Sequence, residues 1–403
     1  MRGPEAGGGA GQPRLGTVLT GLCVTEIVSW GVLYYAFPVL APSIRAQTGW
    51  SPSLTTAAFS GALVVAAVVG IPVGRLLDRH GPRVIMTLGS VIAVLACAVI
   101  AWSPNLVIFA LGWLLAGVAM AGVLYQAAFA ALTRWYGTRR LRALTAVTLV
   151  AGLASTVFAP LTEALNSLLG WRAAFAILAV GLAVITIPVH AIVLRRRWPA
   201  DRQPTPHVEL GIDDHVRSVL GSRQFWFLTV GLTVASLAIF AVVINLVALL
   251  TERGMSSALA AWTLGLGGVG QVAGRLFYPA LARRLGVRSR TLIIFGLAAV
   301  STAALALVPG PVGALIAIAM IAGVARGIGT LLQATAVPDR WGALAYGRIS
   351  GVLAAPVTIA SALAPWIGAT LAVLVGGYPA MFGILAVLAT GAVILLAFSV
   401  PRR

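Results

Sequence analysis

GRLLDRHGPRVIMTLGSVIAVLACAVIAW, residues 74–102, passes from a basic turn into nineteen residues without a single charge. A membrane-spanning helix needs about 20 mostly apolar residues to cross about 30 Å of hydrocarbon. Applied outward from this stretch, the same window finds twelve apolar runs. They lie at 16–40, 53–77, 84–102, 106–133, 143–169 and 172–194, then at 224–250, 257–281, 291–308, 312–337, 349–375 and 379–400. The runs are apolar nearly all round, as in helices buried in lipid and in one another. Composition agrees: 60% of residues are hydrophobic, 9% are charged, and the mean hydropathy is +0.99. A soluble domain carries about 25% charged residues, so this chain cannot wet its own surface. Pro72, Pro160, Pro188, Pro356 and Pro365 punctuate the runs, which membrane helices tolerate better than soluble ones.

The formal net charge is +18, and every Lys/Arg position is Arg. Their placement speaks for topology and against a nucleic-acid partner. With both termini in the cytoplasm, 24 of the 28 Arg fall at cytoplasmic ends, among them Arg75, Arg79, Arg83, Arg134, Arg275 and Arg340. Only Arg45, Arg172 and Arg253 fall in outer loops, and Arg326 lies within a span. That asymmetry is the positive-inside pattern. Abundant Ala, Gly, Val and Arg without Lys suggest a high-GC bacterium, and so its inner membrane. Cys23 and Cys97 sit inside apolar runs and read as small core residues. No cofactor or metal is expected, and His190, His207 and His215 show no ligand spacing.

Residues 1–15 read as a disordered cytoplasmic tail. The first apolar run reads as a retained helix, being too long for a cleaved signal. The one long polar stretch, 195–223, falls halfway along and reads as a cytoplasmic linker. It leaves 16–194 and 224–403 as two bundles of six. The halves repeat: Gly117-Val-Ala-Met-Ala-Gly returns as Gly323-Val-Ala-Arg-Gly-Ile, and Arg134-Trp135 returns as Arg340-Trp341, both 206 residues on. GWRAAFAILAV from Gly170 returns as GYPAMFGILAV from Gly377. Parallel six-helix repeats are one known transporter construction, with the substrate near the midplane.

Gly74-Arg-Leu-Leu-Asp78-Arg79-His-Gly81-Pro82-Arg83 has a physical logic of its own. Gly74 lets a neighbouring helix pack closely. Asp78 offers a carboxylate to Arg side chains or a helix N-terminus. Gly81-Pro82 turns the chain and starts the next helix at Pro. The competing reading is an ordinary basic turn. The run resembles the cytoplasmic signature of the major facilitator superfamily, G-x-L-x-D-R-x-G-x-R. The resemblance implies an all-α integral membrane protein of twelve transmembrane helices in two pseudo-symmetric six-helix bundles. It also implies a cytoplasmic charge latch, placed here on Asp78 with Arg134 and the start of the eleventh helix. In the second half Gly274-Arg275-Leu276-Phe277-Tyr278 stands at the matching place, with Tyr278 where Asp78 is. Trp30-Gly31, Thr48-Gly49-Trp50-Ser51, Arg134-Trp135-Tyr136 and Gly170-Trp171-Arg172 are similar to the monocarboxylate-porter and oxalate/formate-antiporter branch. The acidic-glycine-aromatic run of the animal porters' first helix is not reproduced. Gly152 and Ala159-Pro160 match the antiporter signature of the fifth helix only in part.

An ionised side chain at the bilayer centre costs roughly 2.5–3.5 kcal/mol, so charges inside runs are functional candidates. Three stand out: Glu26, Glu163 and Arg326. Arg326 shares a helix face with Thr330 and Gln333, and its fork suits a carboxylate or other oxyanion. Gln126 holds almost the corresponding place in the fourth run. The alternative is an Arg that only pins helices through carbonyls. Glu26 forms a stripe with Trp30 and Tyr34, and a carboxyl in such surroundings can exchange protons near neutral pH. It equally suits a permanent partner for Arg326 or a hydrogen-bonded core residue. Glu163 reads either as functional or as snorkelling to the outer interface, and Asn245 as a polar cavity residue.

These residues favour a proton-coupled secondary transporter of a small organic solute, an anion if Arg326 selects it, acting by alternating access as a monomer. Symport and antiport both stay open. The second reading is a proton-driven drug or metabolite exporter, with Glu26 and Glu163 binding cations. A non-transporting sensor is remote, since the linker is too short for a soluble domain. An enzyme is not expected, because no nucleophile, metal constellation or carboxylate pair faces a membrane surface.

Overall fold

The computed structural model describes residues 14–137, 140–198, 212–342 and 346–400. Residues 1–13 of the expected tail and 199–211 of the expected linker lie outside the described residues, as do the side chains of Asp78 and of residues 140, 141, 212, 213 and 346–348. Among the described residues there are helices and no strands. Lipid dictates this, because a helix satisfies its backbone N–H and C=O groups within its own segment.

The first helix, α1 (Leu15–Thr48), is interrupted by one π segment at Gly31–Tyr35. α2 (Pro52–His80) begins at Pro and ends at Gly81, where φ is 78°, and Pro82 opens α3 (Pro82–Ala101). Asn105 caps α4 (Leu106–Tyr136) by accepting from Ile108 N at 3.0 Å. α4 breaks at Leu124, which is extended. α5 (140–169) and α6 (171–193) run on with only Gly170, φ 79°, between them. Beyond a short helix Ile212–Leu220 come α7 (Arg223–Glu252), α8 (Ser257–Arg284) and α9 (Val287–Leu307). α10 (Val312–Thr335), a turn of helix at Pro338–Trp341, α11 (Tyr346–Leu374) and α12 (Tyr378–Ala397) complete the chain.

Ten helical stretches are long and apolar enough to cross a membrane on those grounds alone. One of them, Arg142–Val193, holds two passes divided at Gly170. α8 is too rich in Gly to qualify by apolarity, yet it has 28 residues and packs inside the assembly. The twelve runs are therefore twelve helices. Val68, Leu95, Val180, Val300 and Val387 are among the apolar side chains left exposed, the wall that lipid covers.

Helix pairs recur with the repeat. α2 packs on α4 as α8 packs on α10, and α3 on α6 as α9 on α12. Two glycines from the repeated motif make the first of these contacts. A Cβ on Gly117 would stand 2.3 Å from Ala62 O, and one on Gly323 would stand 2.0 Å from Gly267 O. Only a missing side chain lets these backbones touch. Between the first six helices and the last six, α2 meets α11 and α5 meets α8.

In this structure Gly74 packs against no neighbouring helix. No atom lies within 4 Å of where its Cβ would be. The hydrogen bonds between α2 and α11 lie far from it, at Ser53–Thr370 (2.5 Å) and from Trp366 N to Ser60 Oγ (3.1 Å). This seam is tied at the face opposite the arginine-rich turns, and it leaves Gly74 without a neighbour.

Candidate transport site

A cavity of about 230 Å³ lies between the two sets of helices. α1 supplies Trp30 and Tyr34, α4 supplies Tyr125 and Gln126, α7 supplies Phe240, and α11 supplies Thr358 and Ser361. Among the described residues, none lining it is charged. Its wall is an aromatic cluster. Trp30 meets Tyr34 edge-on at 5.3 Å between centroids and Tyr125 at 4.9 Å. The extended backbone at Leu124 restarts α4 at Tyr125. Gln126 is accommodated by Gly70 of α2, where a Cβ would lie 2.5 Å from Gln126 Oε1.

Glu26 stands one helical turn behind this wall and is wholly buried. Trp30 Nε1 donates to its Oε2 at 3.0 Å, while its Oε1 has no partner. The Glu26–Trp30–Tyr34 stripe is thus one connected unit. Glu26 and Arg326 form no ion pair. Arg326 lies in the last six helices beside a separate void of about 30 Å³, near Ser301 and Thr302. Its Nε has no partner, and it lies within electrostatic range of Tyr34.

The other sequence candidates are dispersed. Thr330 is exposed and its hydroxyl donates to Gly327 O at 2.8 Å, so it is bound to its own helix. Gln333 is half-buried and lies outside the cavity wall. Asn245 donates to Ala241 O at 2.9 Å and lines a different, larger recess of about 840 Å³ at the opposite face, with Arg45 and Glu252. Glu163 is buried rather than snorkelling, at 6% exposure. Asn166 Nδ2 donates to it at 3.2 Å and to Ser43 Oγ of α1 at 2.8 Å. Those bonds join α5 to α1.

Arg275 corrects the sequence reading most. Assigned to a cytoplasmic turn, it is 7% exposed and inside the assembly. Its guanidinium donates to Thr148 O of α5. It is a further buried charge, and it reaches from the last six helices into the first six. The signal was present in the sequence: Arg275 falls within the apolar run 257–281.

At the arginine-rich face the expected gate residues part company. Arg79 is exposed, and Arg83 Nε donates to Ala191 O of α6 at 2.8 Å. The Arg134 guanidinium sits 4.8 Å from the ring centroid of Trp198, just past α6. In the second half Arg290 pairs with Asp339. Arg340 donates to Ser399 O (3.2 Å), Ala336 O (3.2 Å), Thr291 Oγ1 (3.1 Å) and Ser399 Oγ (3.1 Å). Burial pushes the Arg340 guanidinium down to about 10, against the pull of Asp339 beside it. Two outer arginines are braces. Arg172 donates to Ala101 O and Ser103 O, and Arg253 to Val308 O and Ala306 O, each at a helix C-terminus where a cation is favoured.

A twelve-pass helical protein with a cavity between its two sets of helices is the architecture of a secondary transporter. The chain belongs to the Major Facilitator Superfamily, whose family model matches residues 22–353. It is 27% identical over 302 residues to human monocarboxylate transporter 11, covering 73% of this chain and 60% of that protein. It is 26% identical over 179 residues to the uncharacterized MFS-type transporter YcxA of Bacillus subtilis, covering 43% of this chain and 40% of that protein. The chain thus spans 60% or less of the length of these curated relatives. Among solved structures it superposes on the nucleoside transporter NupG with a TM-score of 0.71 at 13% identity, covering 94% of this chain and 98% of that one. It superposes on an inward-facing bacterial homologue of the human lysosomal transporter Spinster with a TM-score of 0.70 at 17% identity, covering 95% and 94%. These two likenesses concern the fold. The family is one of multi-pass membrane transporters.

Proposed function

We propose that the protein couples proton movement to the transport of a small organic anion, by alternating access, as a monomer in a bacterial inner membrane with both termini in the cytoplasm. The relatives named monocarboxylate transporters support the substrate class. The observation that carries the reading is Glu26, a wholly buried carboxyl with one neutral donor, Trp30, and one oxygen without a partner. An unpaired buried carboxylate is costly, so its charge state is tied to its surroundings. Trp30 is also cavity wall, so a change at Glu26 is felt where the solute binds. The link from proton to cargo runs through this indole and not through a Glu26–Arg326 pair. Asp78 and Arg134 belong in this reading to the cytoplasmic gate, with Gly74, Arg79, Gly81 and Arg83. Tyr34, Gln126 and Arg326 belong to recognition, while Asn245, Thr330 and Gln333 stand outside the cavity.

The test is acid uptake into proteoliposomes with and without an imposed pH gradient. Coupling predicts faster uptake with the gradient. Glu26→Gln is expected to lose that acceleration and retain exchange of cargo across the membrane. Equal rates with and without the gradient in the unmodified protein would sink the coupling.

A further inference from the structure

Arg326 is a buried charge that nothing in the protein compensates. It lies near the middle of α10 and is 7% exposed. Among the described residues, no carboxylate pairs with it and no acceptor takes a hydrogen bond from its guanidinium. The two acids within the membrane runs are engaged elsewhere, Glu26 with Trp30 and Glu163 with Asn166. Two other arginines are buried to the same degree, and each has an acceptor: Thr148 O for Arg275 and Asp339 for Arg290. Arginine cannot shed its proton to escape the cost of burial.

The side chain borders one recess. It lines the void of about 30 Å³ between α7, α8, α9 and α10, and neither the cavity at Trp30 nor the recess at Arg45. Of its three nitrogens only Nε is sealed, so the two Nη nitrogens keep accessible surface. Ser301 and Thr302 of α9 bring hydroxyls to the same void. Both donate to Ala298 O, at 3.0 and 2.8 Å. A carbonyl has two lone pairs, and this one lies inside a helix, so one hydroxyl proton can turn to the void at little cost. Much of the remaining wall is apolar, including Val242, Val243, Leu246 and Leu264.

We propose that this void is a binding site for a small monovalent inorganic anion, chloride in the cell, held by the Arg326 Nη nitrogens with the Ser301 and Thr302 hydroxyls beside it. Size restricts the occupant. A void must offer about 10–15 Å³ to admit one water, so this one takes a single monatomic anion, or a water or two, and no organic acid. Charge decides between those. Water would satisfy the N–H donors, but an anion also cancels the charge, and an uncompensated buried charge is the costlier defect. The apolar walls favour a singly charged ion over a more strongly hydrated divalent one. The inference goes beyond the transport reading, whose cavity is separate, and is independent of it. It gives Arg326 an indirect part in recognition, with its charge neutralised before a solute arrives.

The experiment follows unfolding midpoints of the purified full-length protein as sodium chloride replaces sodium gluconate at fixed ionic strength. Gluconate is too large for the void, and general screening stays constant. Chloride and bromide should each raise the midpoint saturably, by roughly 2–4 °C. Arg326→Gln should abolish the response. In gluconate it should melt no lower than the unmodified protein, because no bare charge remains. An arginine that only pinned helices would lower the midpoint in both salts when replaced. Ala322 also lines the void, so Ala322→Leu, which keeps Arg326, should abolish the response too. It decides the matter if Arg326→Gln does not purify. In crystals grown with bromide, anomalous density should stand beside Arg326. Equal midpoints in chloride and gluconate would overturn the inference, and so would a chloride response that survives Arg326→Gln or Ala322→Leu. Stabilisation by lactate that needs Arg326, with none by chloride, would make Arg326 a solute contact; this inference then fails and the transport reading stands. If uptake ignores the pH gradient while the chloride response persists, proton coupling fails and this inference stands.

Discussion

The two arginine-rich turns, Gly74–Arg83 and Gly274–Arg290, occupy matching places in the repeat and do different work. The first carries the full signature, yet its Gly74 has no neighbour and Arg79 is exposed. Its Arg83 reaches Ala191 O of α6, and Arg134 from the end of α4 reaches Trp198 just past α6. The second has lost the acid of the signature, with Tyr278 in its place. It is nevertheless the fixed one. Gly274 presses on Val324 O, the Tyr278 hydroxyl bonds Thr335 at 2.6 Å, and Arg290 lies over the Tyr278 ring while pairing with Asp339. An aromatic ring can brace a guanidinium as a carboxylate does, with less desolvation to overcome. The lesson is that a degenerate motif can mark the more tightly packed copy.

The comparison breaks most readily at Arg290 and Asp339. The Arg290 side chain is 6% exposed and that of Asp339 29%. Removing either partner strands a charge, and Arg290→Ala or Asp339→Ala should cost about 2–3 kcal/mol once the partial exposure of Asp339 is discounted. The double substitution should cost less than the sum, because it leaves no orphaned charge. Unfolding midpoints of the detergent-purified variants check this. Values for Arg290→Ala no larger than for Arg79→Ala would erase the contrast between the turns.

The next effect is on rate. Asp78→Asn in the intact copy should slow transport about tenfold, equivalent to about 1.4 kcal/mol, with its unfolding midpoint unmoved. A stability loss comparable to that of Asp339→Ala would make the first turn a brace like the second. Normal transport at normal expression would remove Asp78 from the gate.

How far the sequence reached follows the same division. The twelve passes were legible because apolar length is a local property that lipid enforces on each segment. The repeat was legible where backbones touch: Gly117 and Gly323 lie at one offset because each must lack a side chain. The Glu26–Trp30 bond was readable from helical spacing. What stayed hidden depends on contacts between distant segments. Arg275 looked like part of a turn because its neighbours fit the signature, and only the packing of α8 against α5 brings it to Thr148. Tyr125 and Phe240 carry no spacing signal, since they meet across the two sets of helices. Arg326 and Glu26 share the rarity of intramembrane charge, and rarity alone could not say that they stand apart.

The smallest expected effect sharpens the difference between fixing a turn and merely holding it. Arg134 stacks on Trp198, and Trp135 Nε1 donates to Arg197 O at 3.2 Å, so the end of α4, on the same face as the first turn, grips the residues that leave α6. Arg134 and Trp198 are both half-buried or more open, where a cation–π contact is worth roughly 0.5–1 kcal/mol. Each residue has further interactions, so single substitutions would mix several losses. A double-mutant cycle of Arg134→Ala and Trp198→Ala isolates the pair. Its coupling should fall in that range, well below the Arg290–Asp339 coupling measured the same way. Raising the salt should weaken it only slightly, because the ring contributes a quadrupole and not a screened charge. A coupling as large as that of the second turn would mean that both copies are locked. Alternating access would then have to hinge on the α2–α11 seam, where Ser53 meets Thr370.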